Sequence, residues 1–269
     1  MTLLTVQVSV TSGKYLENVL SSIRKSKSSC TEIIVVNSGT SERVSELCRI
    51  YNAKEIRQHC SLLMSRYLGT VNATGEHVLI LDETRIPSDN LIDSLINSNQ
   101  EMIAFPEVQM GKGFINHLDR IDKRITFNTQ SSLLGDTSLI IPRFYSTDLL
   151  RKAFSLIQSK ISLKKFNQIV AKDDRIIFYE ALKISNSKVF LSNYKILHYN
   201  DTNIFLEFRK YARYGSTSRV LDGTEYESMT QVVDKFRKIN SFRDIPVLVL
   251  YGIRGLSYEL GYHFIWNRG

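Results

Sequence analysis

The chain has 269 residues and a net charge of +8 at neutral pH, and this length is enough for one large domain with a full hydrophobic core. Its composition, with 43% hydrophobic and 23% charged residues, excludes the disordered and fibrous classes of protein. The positive charge favours anionic partners, namely nucleotide phosphates, acidic lipid surfaces or nucleic acid, without choosing among them.

Cysteine usage indicates a reducing compartment. Cys30, Cys48 and Cys60 show no paired spacing such as C-x-x-C, which argues against a disulfide framework or a zinc site. We also find no signal peptide and no uniformly apolar run of about eighteen residues, the minimum for a membrane-spanning helix. We therefore expect a cytoplasmic protein without a membrane span.

Predicted strands and helices alternate along the N-terminal part of the chain. Apolar runs predict strands at 3–10, 31–36, 53–56 and 78–81. Helical periodicity predicts helices at 15–24, 61–73 and 90–96, and another after Ser41, whose side chain is a suitable N-cap. This alternation predicts a mostly parallel sheet with helices on both faces, joined by right-handed crossovers.

The rest of the chain contains shorter elements. We predict strands at 103–108, 189–191 and 194–198, and helices at 147–153, 166–170 and 173–184. The segment 112–138 matches neither period. Helices at 205–214, 228–239 and 247–262 form a predicted C-terminal helical tail.

The strand at 78–81 ends in two adjacent acids, Asp82 and Glu83. In an open α/β sheet, ligands bind beyond the carboxyl ends of the strands. Carboxylates at such a position hold Mg²⁺ or Mn²⁺ together with substrate phosphates. The alternative is an ordinary strand that ends in a polar turn.

Five segments of the chain match, in the same order, the motifs of one enzyme family. These segments are Glu32–Ser41, Ser65–Gly69 with Ala73–Glu76, Leu81–Pro87, Lys172–Asp174 with Glu180–Lys183, and Phe208–Gly215. His198 also stands where the family often has a histidine. Over residues 3 to 215 the chain therefore resembles a family 2 glycosyltransferase of the GT-A fold.

The resemblance implies a GT-A type α/β fold, which is Rossmann-like, with a mostly parallel central sheet flanked by helices and a C-terminal helical extension. Residues 1–105 would form a nucleotide-sugar-binding half, 106–200 the acceptor-binding half, and 201–269 the helical extension. The implied reaction is transfer of a sugar, with inversion, from a UDP- or GDP-linked donor to a hydroxyl group of a glycan or lipid-linked acceptor.

The resemblance also assigns roles to residues. Asp174 is the expected general base, and Asp173 caps the helix or positions the acceptor. The expected donor-binding residues are Thr11, Asn37, Ser38, Arg66, Asp82 and Glu83, and the expected ligands of Mn²⁺ or Mg²⁺ are Asp82, Glu83 and His198. Lys14 is a weaker candidate for a phosphate contact. The alternatives are a solvated helix charge for Arg66 and a favourable helix dipole for the two aspartates.

Three departures from the family pattern concern the metal and the donor rather than the fold. Asn37 stands where the family usually has an aspartate, Thr84 replaces the second acid of D-x-D, and the loop Thr11–Lys14 is short. They motivate a second hypothesis, a non-catalytic nucleotide-sugar-binding module. A nucleotidyltransferase would need a glycine-rich basic loop after the first strand, and the loop Thr11–Lys14 is too short to resemble one. The chain contains no recognised nucleic-acid-binding module, so we expect no nucleic acid partner.

Aromatic and basic residues recur at helical spacing between 236 and 266. Such helices often lie on membranes, so the tail predicts contact with the cytoplasmic face of a membrane and fits a lipid-linked acceptor. The alternative is packing against the catalytic domain or against a second subunit in a homodimer.

Overall fold

The computed structural model describes residues 4–26, 31–130, 140–200, 202–230 and 241–264. The strands are β1 (Leu4–Val10), β2 (Thr31–Asn37), β3 (Lys54–Arg57), β4 (His77–Asp82), β5 (Arg85–Pro87), β6 (Met102–Ala104), β7 (Glu107–Gln109), β8 (Phe144–Ser146), β9 (Phe190–Leu191) and β10 (Ile196–His198). The helices are α1 (Leu16–Arg24), α2 (Glu42–Ile50), α3 (Leu62–Val71), α4 (Leu91–Leu95), α5 (Phe114–Gln130), α6 (Thr147–Lys160), α7 (Leu163–Phe166), α8 (Asp173–Ile184), α9 (Ile204–Ser218) and α10 (Val247–Phe264).

The central sheet has seven strands in the order β3-β2-β1-β4-β8-β6-β9. Strands β3, β2, β1 and β4 are parallel, β8 runs antiparallel to both β4 and β6, and β6 pairs with β9 in parallel. A second sheet of three strands has the order β5-β10-β7. The predicted alternation of strands and helices around a mostly parallel sheet is confirmed.

Most residues of β1, β2 and β4 are buried on both faces, as expected for central parallel strands, and β1 buries the polar side chains of Thr5, Gln7 and Ser9 as well as its apolar ones. Their register aligns the carboxyl ends, since Val10 pairs with Asn37 and Ser9 pairs with Asp82. The loops that follow these strands therefore begin at one edge of the sheet.

Two predicted elements differ in the second half of the chain. The predicted strand 103–108 is divided into β6 and β7, which belong to different sheets. Pro106 lies between them and has no N–H to donate to a ladder, while its carbonyl accepts from the Ile196 N–H at 2.9 Å. The predicted helix 166–170 is wrong, because α7 is capped by Ser162 and ends at Phe166.

The segment 112–138, which matched neither period, contains the 17-residue helix α5. Its buried side chains Ile115, Leu118 and Ile125 face α10, and charged residues between them obscure the periodicity. Strand β8, which follows it, was not predicted because it is only three residues long. Most of the predicted helix 228–239 lies outside the described residues.

The C-terminal tail packs against the rest of the chain. Val247 and Leu250 of α10 are buried against α5. Gly215 of α9 and Gly261 of α10 allow the two helices to cross closely, because a Cβ atom at either position would lie about 2 Å or less from a carbonyl oxygen of the other helix. Of the alternatives for the tail, packing against the domain is what the structure shows.

A buried arginine joins the tail to the domain. Arg254 of α10 donates to Asp119 of α5 at 2.7 Å, to Asp122 of α5 at 2.9 Å and to Glu207 of α9 at 2.7 Å. All four side chains are almost inaccessible to solvent. Loss of one partner from such a buried group costs about 3–5 kcal/mol.

Within the described ranges, no helix is both long and apolar enough to cross a bilayer. Cys48 and Cys60 are free thiols, and Cys30 lies outside those ranges.

The glycine crossing of α9 and α10 gives a stability prediction. Gly215→Ala or Gly261→Ala should lower the free energy of unfolding by about 1–3 kcal/mol, because the added methyl group collides with the facing backbone. The matched control is Gly252→Ala, where a Cβ meets no atom within 4 Å and the helix should gain about 0.5–1 kcal/mol. Urea unfolding measures all three, and equal midpoints for Gly215→Ala and the wild type would contradict the close crossing.

Candidate functional site

Glu83 organises the loop that follows β1. Its Oε1 accepts hydrogen bonds from the backbone N–H groups of Thr11 at 3.2 Å and Ser12 at 3.0 Å, and the Ser12 hydroxyl donates to Oε2 at 3.0 Å. The short loop is thereby held against the end of β4. Glu83, a predicted metal ligand, therefore positions this loop.

Asn37 shapes the turn that follows β2 from a fully buried position. Its Nδ2 donates to the Ser41 carbonyl at 2.9 Å and to Glu55 at 2.7 Å, and its Oδ1 accepts from the Ser41 N–H at 3.0 Å. Ser41 occupies the N-cap position of α2, but its side chain makes no capping hydrogen bond. Asn37 is thus committed to the turn and leaves Ser38 to face the cavity next to it.

The first cavity at this edge, which we call the β1–β2 cavity, has a volume of about 340 Å³. Ser9, Thr11, Ser38, Gly39 and His59 line it from the ends of β1, β2 and β3. Lys210, Arg213 and Tyr214 of α9 line its other side. Two of the predicted donor-binding residues, Thr11 and Ser38, therefore share a cavity with two cations.

Asp82 has both carboxylate oxygens engaged. Its Oδ1 accepts from the Thr84 N–H at 3.1 Å and from the Thr84 hydroxyl at 2.6 Å, and its Oδ2 forms an ion pair with Arg85. Burial raises the pKa of Asp82, but the guanidinium groups of Arg85 and Arg143 outweigh it and hold that pKa well below its ordinary value. The carboxylate is ionised at neutral pH.

A second cavity, the β4–α5 cavity, has a volume of about 260 Å³ and a wall of mixed character. Its charged lining residues are Arg85, Glu107, Asp122, Lys123, Arg143 and Asp174, and its apolar lining residues are Phe105, Phe127, Ile140 and Ile141. The cavity therefore combines an apolar surface with three cations and three acids.

Glu107 is the centre of this charged lining. Its carboxylate accepts from Arg85 Nε at 2.7 Å, from Arg143 Nε at 3.0 Å and from Lys123 Nζ at 3.0 Å. Burial raises the pKa of Glu107, and the three cations bring that pKa well below its ordinary value. A single carboxylate thus holds three cationic side chains at the cavity wall.

His198 contacts a cation as well. Its Nδ1 lies 2.6 Å from Nζ of Lys123, and an ammonium group can only donate, so Nδ1 accepts and the imidazole is neutral. Burial, together with Arg85 and Lys123, lowers the pKa of His198 well below its ordinary value. The one lone pair that a neutral imidazole offers to a metal is already used.

The predicted ligands of Mn²⁺ or Mg²⁺ do not fit the group in this arrangement. Asp82 pairs with Arg85, Glu83 holds the first loop, and His198 accepts from Lys123. Across the described part of the chain, no three histidine, cysteine or acidic side chains are grouped so that they could hold a metal ion. We derive no chemical step through a metal.

Asp173 and Asp174 begin α8 and point in different directions. Asp173 is buried, and its Oδ2 lies 2.8 Å from Nε of Arg66, which is itself 4% exposed. We expected Arg66 to contact a phosphate, with a solvated charge as the alternative. The structure shows neither, because Arg66 forms this buried ion pair. Asp174 instead lines the β4–α5 cavity, and its Oδ2 lies 3.9 Å from Nη2 of Arg143.

The two aspartates also differ in acidity. Burial raises the pKa of Asp173 to about 6. Burial acts on Asp174 in the same direction, but Arg66 and Arg143 outweigh it and lower the pKa of Asp174 below its ordinary value. At neutral pH, Asp174 is an ionised carboxylate at a cavity wall, as a group that accepts a proton must be.

Ion pairs connect the two acids on which the sequence interpretation depends. Asp82 pairs with Arg85, Arg85 and Arg143 both donate to Glu107, and Arg143 lies 3.9 Å from Asp174. Asp82 and Asp174 therefore belong to one cluster. The sequence analysis assigned no role to Glu107, Lys123 or Arg143. Glu107 and Arg143 each stand as a single charge in an otherwise apolar segment, whereas Lys123 lies among other charged residues of α5.

No protein-family model and no curated protein matches the chain. Solved structures do match it. TarS residues 1–349 from S. aureus has a TM-score of 0.56 and 12% identity, covering 97% of this chain and 81% of that one. The same part of TarS in complex with UDP-GlcNAc has a TM-score of 0.53 and 11% identity, with the same coverage.

A mannosyltransferase from Pyrobaculum calidifontis, PcManGT, in complex with GDP-Man and Mn²⁺, has a TM-score of 0.56 and 12% identity. It covers 96% of this chain and 71% of that one. At these identities the similarity establishes the fold. The chain has a GT-A type α/β fold, with a mostly parallel central sheet flanked by helices.

Proposed function

We propose that this chain is a family 2 glycosyltransferase that moves a sugar, with inversion, from a nucleotide-sugar donor to a hydroxyl acceptor. The observation that carries the proposal is a pair of cavities on a GT-A fold, one lined by residues that follow β1 and β2 and the other lined by members of the Asp82–Asp174 cluster. The complexes of two structural neighbours with UDP-GlcNAc and GDP-Man support a donor of this class.

The β1–β2 cavity is the proposed donor site. Thr11 and Ser38 offer hydroxyl groups to a nucleoside, and His59 lies beside them. A nucleoside diphosphate sugar carries negative charge, and Lys210 and Arg213 of α9 supply positive charge from the facing wall. The donor is UDP- or GDP-linked in this proposal.

Asp174 is the proposed general base. It accepts the proton of the acceptor hydroxyl as the acceptor oxygen bonds to the anomeric carbon and the bond from that carbon to the diphosphate oxygen breaks. The nucleoside diphosphate leaves with the bonding electrons. Attack on the face opposite the leaving group inverts the anomeric configuration. The cations around Asp174 keep the carboxylate ionised, as this role requires, and by lowering its pKa they also reduce its basicity.

Membrane contact through α10 and a lipid-linked acceptor are further parts of the proposal. Leu248, Val249, Leu256 and Leu260 of α10 are exposed. They support contact between the helical extension and the cytoplasmic face of a membrane, which would suit a lipid-linked acceptor. A second copy of the chain is the other way to cover these side chains, and a glycan is the other acceptor class.

The second candidate is a non-catalytic nucleotide-sugar-binding module. The engagement of Asp82 by Arg85 favours it, because the carboxylate is committed within the protein. Such a module would bind nucleotides as the transferase does but would turn over no donor and acceptor pair.

The first test concerns the base. Asp174→Asn should abolish sugar transfer and leave the donor affinity within about twofold, because the amide cannot accept the proton. The matched control is Asp148→Asn, which removes an exposed acid from the first turn of another helix, α6. Transfer is followed by nucleoside diphosphate release and donor binding by calorimetry. A fully active Asp174→Asn variant would reject Asp174 as the base.

The second test concerns the diphosphate. Lys210→Gln and Arg213→Gln should each weaken binding of UDP or GDP by about ten- to a hundredfold, the loss of one charge-assisted hydrogen bond, and should leave nucleoside binding nearly unchanged. Arg209→Gln on the same helix is the control, because Arg209 is exposed and does not line the cavity. Equal losses of affinity for the nucleoside and for the nucleoside diphosphate would show that these cations do not contact the diphosphate.

The third test concerns the metal. The sequence predicts Mn²⁺ or Mg²⁺, and the Mn²⁺ in the PcManGT complex supports that prediction. We expect neither Mn²⁺ nor Mg²⁺ to change the melting temperature when nucleotide is absent, because the residues that the structure describes assemble no ligand set. Melting curves with each ion, and with a chelator, are recorded with and without nucleotide. Stabilisation by metal alone would contradict the arrangement, and stabilisation only with nucleotide would support the sequence prediction.

A further inference from the structure

We propose that the β4–α5 cavity binds an anionic group of the acceptor, a phosphate or carboxylate a few bonds from the attacking hydroxyl, with Arg143 as its main contact. The assignment to the acceptor rests on the proposed function. The existence of an anion site in this cavity does not depend on the proposed function.

The first observation is an unsatisfied donor. The Arg143 side chain is 7% exposed, and its Nε donates to Glu107 at 3.0 Å. Its Nη1 is buried, and no acceptor among the described residues lies within hydrogen-bonding reach of it. A buried N–H of a charged group is normally paired, so this one indicates a ligand that brings its own acceptor oxygens.

The second observation is the surroundings of that donor. Arg85 and Lys123 line the same cavity, and all three cations share the carboxylate of Glu107. The planar guanidinium matches the two oxygens of a carboxylate or phosphate. The apolar wall that includes Phe105 and Phe127 lowers the local dielectric constant and strengthens such a hydrogen bond.

The third observation places the anion beside the proposed base. Nη2 of Arg143 lies 3.9 Å from Oδ2 of Asp174, and Nη1 belongs to the same guanidinium. An anion bound at Nη1 therefore lies close to Asp174. A hydroxyl group on the same small molecule can then reach the carboxylate that takes its proton.

The fourth observation separates this site from the donor. Among the described residues, the β1–β2 and β4–α5 cavities share no lining residue. The donor diphosphate has cations of its own in Lys210 and Arg213. The donor diphosphate therefore does not need the cations of the β4–α5 cavity. Arg85 and Lys123 are paired within the protein, but Nη1 of Arg143 keeps an unused donor for a second anion, and the acceptor is the second substrate.

The test measures binding of inorganic phosphate and of glycerol 3-phosphate, a phosphate ester with free hydroxyl groups, by calorimetry and melting temperature. UDP and GDP are titrated separately. We expect both phosphate probes to bind the wild-type chain. Arg143→Gln should weaken both by at least about tenfold, while UDP or GDP binding stays within about twofold. Arg49→Gln, which removes an exposed arginine of α2 that lines neither cavity, should change none of these affinities.

Each other result has a defined meaning. Absence of phosphate binding by the wild type would overturn the inference, and a loss of UDP or GDP binding in Arg143→Gln as large as the loss of phosphate would assign the site to the donor instead. If Arg143→Gln does not fold, Lys123→Gln replaces it, with the same expected loss. Phosphate binding without any nucleotide binding would support the anion site and reject the transferase.

Discussion

The candidate site depends on a row of partly buried ion pairs that runs from Asp82 through Arg85, Glu107 and Arg143 to Asp174. Charges removed from water in this way are tolerated only when each is matched, because the desolvation penalty of an unpaired ion exceeds what the rest of the cluster returns. The cluster joins β4, β5, β7 and α8 with the segment before β8. The same contacts therefore support the fold and set the charge of the β4–α5 cavity wall.

Much of the fold follows from local patterns in the sequence. The apolar runs of β1, β2 and β4 are long enough to identify buried strands, and the helical periodicity between them fixes the parallel connections. Because parallel strands end at the same edge, the position of Asp82 near the loop at Thr11 could also be derived. The short strands and α5 could not, since their apolar positions are few or separated by charges.

The sequence alone could not predict which protein groups the acids contact. Asp173 and Arg66 are more than a hundred residues apart along the chain, and Glu83 meets Thr11 across 72 positions. A charged residue in a motif can face a ligand or another charge, and only the fold decides which. Asp82 ends β4, and Asp173 and Asp174 begin α8, as the sequence patterns predict. Arg66, Glu83 and His198, however, each contact a protein group that the motif does not reveal.

The Arg254 contacts give the C-terminal extension a meaning beyond packing. Asp119 and Asp122 lie on the same helix as Lys123, which lines the β4–α5 cavity. If α10 were removed, three carboxylates would face one another in the interior without their shared counter-ion, and their mutual repulsion would act directly on α5. The extension is therefore not a detachable appendage, because its buried arginine neutralises acids on the same helix that lines the β4–α5 cavity.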